Sequence, residues 1–169
     1  MDKKGKYVYD WPRPTVSVDA VVFAFFNSPR RRSPTGRGEA GGGQAKLLLI
    51  KRGQEPFKGK WALPGGFVGI DEELEDAVTR ELAEETGLVN VPLKQMHTFG
   101  RCGRDPRGRQ ITIAFMGIAA AGKTRVKGGD DAAEARWFDT ENIPRNLGFD
   151  HNEIATFAIR TLKREKSYL

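Results

Sequence analysis

Sulfur and long apolar stretches are scarce in this sequence. One cysteine, Cys102, stands in 169 residues, which excludes an intramolecular disulfide framework and a four-cysteine zinc site and suits a reducing cytosol. The longest apolar run, Ala20-Val21-Val22-Phe23-Ala24-Phe25-Phe26, falls far short of the ~18 residues a membrane helix requires. Met1-Asp2-Lys3-Lys4-Gly5-Lys6 has the charge of a signal-peptide n-region, but Tyr7 to Pro14 supplies no apolar h-region behind it. The expectation is one cytoplasmic domain spanning residues 1–169, since single domains commonly run to ~100–200 residues.

What is present in excess is positive charge, with 28 Lys and Arg against 22 Asp and Glu, a formal +6. Its distribution is uneven. Asp71 to Glu85 holds eight carboxylates against one cation, Arg80, a net −7 that leaves +13 on the remainder. A solvated helix face is the ordinary explanation of such a run, while an acidic block in a basic chain also suits a cation site facing an anionic substrate.

Thr15 to Phe26 and Lys46 to Lys51 read as strands, rich in Val, Phe, Leu and Ile. Between them, residues 27–45 are rich in Pro, Arg, Ser and Gly, the composition of a flexible loop closing a long hairpin. Its Arg30-Arg31-Arg32 lacks the interleaved aromatics of an RNA-binding surface. Val91 to Arg101 and Arg109 to Ala119 read as paired strands, joined through Asp105-Pro106-Arg107-Gly108, a type I turn pattern. Ala135 to Phe138 is a short strand. A closing helix from about Asn152 to Glu165 carries Ile154, Phe157, Ala158 and Leu162 on one face, with Asp150 and Glu153 as a capping box.

A second helix is expected from about Glu72 to Thr86, with Leu74, Ala77, Val78 and Leu82 as its buried stripe and Gly87 ending it. At ~100° per residue, Glu85 projects between Leu74 and Val78, Glu81 lies close to Leu74, and Glu84 flanks both. Glu72, Glu73, Glu75 and Asp76 project outward. Inward carboxylates are costly unless paired, and Arg80 alone cannot neutralise three. Carboxylate oxygens without His or thiolate favour a hard divalent ion, Mg²⁺ or Mn²⁺. Just before this helix, Gly65-Gly66 marks a close approach of backbone to something, or simply a tight turn between strands.

Gly66, five residues, Glu72, seven residues, then Arg80-Glu81-Leu82-Ala83-Glu84-Glu85-Thr86-Gly87-Leu88 resembles a complete Nudix box, a match whose chance frequency is below about 10⁻⁷. The resemblance implies an α/β (α+β) fold, a mixed β-sheet sandwiched between helices (α/β/α). It implies hydrolysis of a nucleoside diphosphate linked to another group, dependent on Mg²⁺ or Mn²⁺. By family role, Glu81 and Glu85 would be the principal metal ligands, Glu84 a further ligand or the base, and Gly66 a carbonyl ligand. Arg80 would orient the glutamates, and Glu72 would support them. A base from a later loop would come from Asp130, Asp131 or Glu134.

Outside the box, Arg104-Asp105-Pro106-Arg107-Gly108-Arg109, Gly129-Asp130-Asp131-Ala132 and Phe149-Asp150-His151 resemble the branch containing ADP-ribose pyrophosphatases and the ADP-ribose-sensing domains of transcriptional regulators. The resemblance implies ADP-ribose as substrate. Arg52, Arg104, Arg107 and Arg109 are candidate substrate contacts, each otherwise a surface arginine. Trp11 or Phe99 could stack on adenine, and His151 is expected to help start the last helix. The competing expectations are a sensor that binds ADP-ribose without cleaving it and a hydrolase of NADH, dinucleoside polyphosphates, oxidised nucleoside triphosphates or capped RNA. Sensors that resemble this branch carry an additional winged-helix domain behind the Nudix part, and with the sequence ending at Leu169 none is expected here. A membrane or nucleic-acid partner is not expected, and a homodimer using Tyr7 to Pro14 is.

Overall fold

The computed structural model describes residues 9–26, 43–120, 126–129 and 132–166, with side chains as far as residue 164. Among the described residues, seven strands and two helices follow in the order β1 (Thr15–Phe26), β2 (Gln44–Arg52), β3 (Trp61–Ala62), β4 (Gly65–Phe67), α1 (Leu74–Thr86), β5 (Leu93–Phe99), β6 (Gln110–Ile118), β7 (Ala132–Asp139) and α2 (His151–Lys166). The sheet runs β3-β2-β1-β6-β5, with β4 on β1 and β7 on β2. It is mixed, because β1 and β6 run parallel while the other pairs are antiparallel.

The sandwich follows from alternation along β1. Val18, Ala20, Val22 and Ala24 face Ala77, Val78 and Leu82 of α1. Val21 and Phe23 face Ile154, Ala155, Ala158 and Leu162 of α2. A strand covered on both faces must be apolar throughout, which explains the unbroken run in this sequence. Both predicted helices and the long strands are where the sequence puts them, and β7 is longer than the four residues expected. The segment joining Phe26 to Gly43 lies outside the described residues, but Phe26 pairs with Gln44 in register, so the hairpin is present.

Two local expectations are corrected. The first helix begins at Leu74 rather than Glu72, and its N-cap Glu73 makes no side-chain cap. At the last helix no capping box forms, because the Asp150 carboxylate is committed to Arg104. Gly87 does end α1, at φ 73°, with its N–H donating to the Ala83 carbonyl.

Along β1, partnership passes from β4 to β2. Ser17 to Asp19 pair with Phe67 to Gly65, and Phe23 to Phe26 pair with Leu47 to Gln44. This splay carries the glycine turn across the end of α1, at the mouth of a cleft of about 690 Å³.

Candidate functional site

Three groups of side chains line the cleft: the acids of α1, a floor of buried polar residues from β1, β6 and α2, and a facing wall of arginines and phenylalanines. On the acidic side, exposure follows the helical projection. Glu85 is 5% exposed, Glu81 is half-buried, and Glu84 is exposed. Glu85 Oε2 accepts the Gly65 N–H at 2.9 Å. Burial, the largest influence, pushes its carboxyl up to about 8, with the Gly65 hydrogen bond opposing and the nearby Glu81 charge reinforcing the rise. Burial also raises the Glu81 carboxyl, against the pull of Arg80.

Arg80 is the hub of this side. Its Nε and Nη2 donate to Glu72 at 2.7 and 2.9 Å, and its Nη1 donates to Glu81 at 2.8 Å and to Glu84 at 3.1 Å. Glu72, lying before the helix rather than in it, folds back and accepts the Gly69 N–H at 2.9 Å as well. Hydrogen bonding to Arg80, then to Gly69, holds its carboxyl down at about 2. Glu72 thus braces Arg80, a placement that the outward projection of an earlier helix start obscured.

Among the described residues, no three acidic, His or Cys side chains close on one point as they stand; Arg80 draws Glu72, Glu81 and Glu84 to itself. The donor chemistry nevertheless fits a hard cation. Among the described residues Glu85 has no basic hydrogen-bond partner for its buried carboxyl, and the neighbouring Glu81 and Glu84 of α1 offer carboxylate oxygen to the same cleft. The Gly66 backbone is pressed against Glu81, since a Cβ there would lie 2.3 Å from Oε1.

The arginines divide. Arg104 is buried, with Nε and Nη2 forked onto Asp150 at 2.8 and 2.6 Å and Nη1 on Thr112. Arg107 forks through Nε and Nη2 onto Asp105 at 3.0 and 2.8 Å, which leaves its Nη1/Nη2 edge as a two-donor edge. Its guanidinium lies 4.9 Å from the Phe67 ring and 5.0 Å from the Phe149 ring. Arg52 lies 4.9 Å over Phe149 and donates to the Pro56 carbonyl. Phe67, Arg107, Phe149 and Arg52 thus alternate as a ladder along the cleft. Arg109 is placed elsewhere, donating to the Gly100 carbonyl at 2.7 Å and absent from the cleft lining.

Trp11 is 80% exposed and Phe99 is packed in the core; neither lines the cleft. The aromatics that do are Phe67 and Phe149. Glu134 stands on β7, bonded to Arg136 and outside the cleft lining. Asp130 and Asp131 lie outside the described residues; Gly129 before them packs against α1, where a Cβ would meet the Glu84 carbonyl at 2.5 Å.

Sequence reasoning missed Asp19 and set His151 aside as a helix starter. Both are buried and line the cleft. Burial pushes the Asp19 carboxyl up to about 7 and the His151 imidazole down to about 3. The available signal was an acid inside the apolar run Val18-Asp19-Ala20-Val21.

A helix-borne carboxylate cluster facing a diglycine turn defines the class. The chain belongs to the Nudix domain family, whose model matches residues 37–157. It is 49% identical over 109 residues to the ADP-ribose pyrophosphatase of Methanocaldococcus jannaschii, covering 64% of this chain and 63% of that one. It is 30% identical to the ADPR responsive transcriptional repressor NtrR of Acinetobacter baylyi, covering 94% of this chain and 58% of that one. The chain therefore spans about three fifths of the length of these curated relatives. Among solved structures, the NUDIX domain of Shewanella oneidensis NrtR complexed with ADP ribose aligns with a TM-score of 0.72 at 28% identity, over 96% of this chain and 94% of that one.

Proposed function

We propose that the protein hydrolyses a nucleoside diphosphate linked to a second group, with ADP-ribose as the substrate and AMP and ribose 5-phosphate as the products. One observation carries this: two inward carboxylates, Glu81 and Glu85, share a single cleft with the cationic edge of Arg107. The 49% identity to a protein named ADP-ribose pyrophosphatase supports the substrate.

Glu81 and Glu85, with Glu84 and the Gly66 carbonyl, would hold Mg²⁺ or Mn²⁺. When bound, the metal neutralises phosphate charge and lowers the pKa of a coordinated water. Arg80 orients the glutamates through its hydrogen bonds to Glu81 and Glu84. Water adds to one phosphorus, and the bridging oxygen leaves with the other phosphate. Glu84, the most exposed of the three, accepts the water proton on Oε1 while Arg80 holds Oε2; Asp131 and Glu134 are the other candidate bases. Arg107 and Arg52 receive the diphosphate from the facing wall, and Arg104, spent on Asp150 and Thr112, shapes the floor. Arg109 remains a candidate only through movement of its loop.

A second reading, a domain that binds ADP-ribose without cleaving it, is favoured by the match to the Acinetobacter repressor along 94% of this chain. A panel assay with Mg²⁺ and Mn²⁺ separates the two readings. It offers ADP-ribose, NADH, dinucleoside polyphosphates, oxidised nucleoside triphosphates and capped RNA. ADP-ribose is expected to be the best substrate. Turnover of another compound with ADP-ribose untouched refutes the assignment, and ADP-ribose binding without turnover of anything establishes the sensor.

A further inference from the structure

Phe149, Asp150 and His151 are consecutive, yet their side chains diverge, with Phe149 and His151 lining the cleft and Asp150 outside its lining. Phe149, at φ 53°, lies under Arg52 and Arg107. Asp150 forks onto Arg104. His151 turns the other way, and its Nδ1 accepts the Leu63 N–H at 2.9 Å. Leu63 opens the turn that carries Gly65 and Gly66.

We propose that His151 is a positioning residue for the acidic side of the cleft, holding the glycine turn where the Gly65 N–H meets Glu85. Besides the pairing of Gly65 to Phe67 with β1, the turn is held at three points. Leu63 is held by His151 from α2, the Pro64 carbonyl accepts the Ala20 N–H of β1 at 2.8 Å, and Gly65 donates to Glu85 of α1. Only the first of these holds is a side chain from outside α1. An Nδ1 that accepts carries no proton, so the ring proton sits on Nε2. A ring protonated at Nε2 alone is neutral, and Nε2 lies 3.7 Å from Asp19 Oδ1, too far for a hydrogen bond, so neither an ion pair nor a hydrogen bond to Asp19 explains the ring's place. The ring is 6% exposed, and losing its acceptor would strand a buried N–H beside the turn. A residue that merely starts the helix would leave Gly65 and Glu85 unaffected.

The inference rests on Glu85 as a metal ligand, and the test separates the two. It uses the full chain and two variants. His151→Leu keeps apolar bulk and loses the acceptor, while His151→Asn places Oδ1 near the position of Nδ1. Three quantities are read: amide exchange of Leu63 and Gly65 without metal, Mn²⁺ binding by electron paramagnetic resonance, and kcat and KM for ADP-ribose. In His151→Leu both amides exchange about tenfold faster. Mn²⁺ binding and kcat fall by about 10–100-fold, with KM little changed. His151→Asn restores all of these towards wild type.

Wild-type exchange in His151→Leu, or an Asn variant as impaired as the Leu variant, overturns the proposal. So does an Nδ1–H tautomer in the nitrogen-15 spectrum of the wild-type protein, a readout that needs no variant to fold. The predicted exchange pattern in a protein that binds no Mn²⁺ upholds the positioning role and overturns the metal reading instead.

Discussion

Glu85 combines burial, a single backbone hydrogen bond and a neighbouring like charge. Its carboxyl, pushed up to about 8, has an ordinary value of 4.5 in the unfolded chain. The folded protein thus retains a proton that the unfolded chain has released, and the stability this gives is lost as pH rises towards 8. Asp19, raised from 3.8 to about 7, acts in the same direction. His151 acts oppositely, but only as pH falls from 6.5 towards 3. Between pH 6.5 and 8, therefore, thermal melts of the metal-free protein should show a Tm that declines with pH. Glu85→Gln should flatten that decline, and Mn²⁺ should reverse it, because a bound cation takes the place of the proton. A Tm that rises with pH over that window in the metal-free protein contradicts the burial argument. At this scale the acids were legible, since helical spacing ranks Glu85, Glu81 and Glu84 in their observed order of burial. Glu72 was not, because it lies before the helix start, where its hydrogen bonds to Gly69 and Arg80 turn it back on itself.

The glycine turn and the two helices are the elements that assemble the site, and the two glycines do different work. A Cβ on Gly65 would lie 2.2 Å from the Val18 carbonyl oxygen, which is fixed in the sheet. On Gly66 it would meet only the carboxylate end of Glu81, which can swing aside. Gly65→Ala should therefore destabilise the fold by about 1–3 kcal/mol. Gly66→Ala should melt close to wild type while losing most activity, and equal stability losses in chemical denaturation would refute the distinction. Strands and helices of this length are legible from apolar period. The fork between Arg104 and Asp150 was not, since 46 residues separate the partners and each had a local alternative, a free arginine and a helix cap. Arg107, by contrast, is fixed by Asp105 two residues away, within reach of the turn pattern in the sequence.

Across the whole molecule, the +6 resolves into a −7 segment that forms one wall of a cleft and a basic remainder that supplies the wall opposite. Such an arrangement would draw an anionic substrate towards a cation held, on the proposed function, on the acidic side. On the proposed function, the acids of α1 cleave what the facing wall binds. The most direct test compares wild type and Glu85→Gln for both ADP-ribose binding and turnover with Mg²⁺ or Mn²⁺, since glutamine keeps an acceptor for the Gly65 N–H. Wild type should release AMP and ribose 5-phosphate. Glu85→Gln should remain folded and still bind ADP-ribose, with kcat reduced on the order of a hundredfold or more. Wild-type turnover by Glu85→Gln, or tight binding without cleavage by the wild-type protein, would contradict the account.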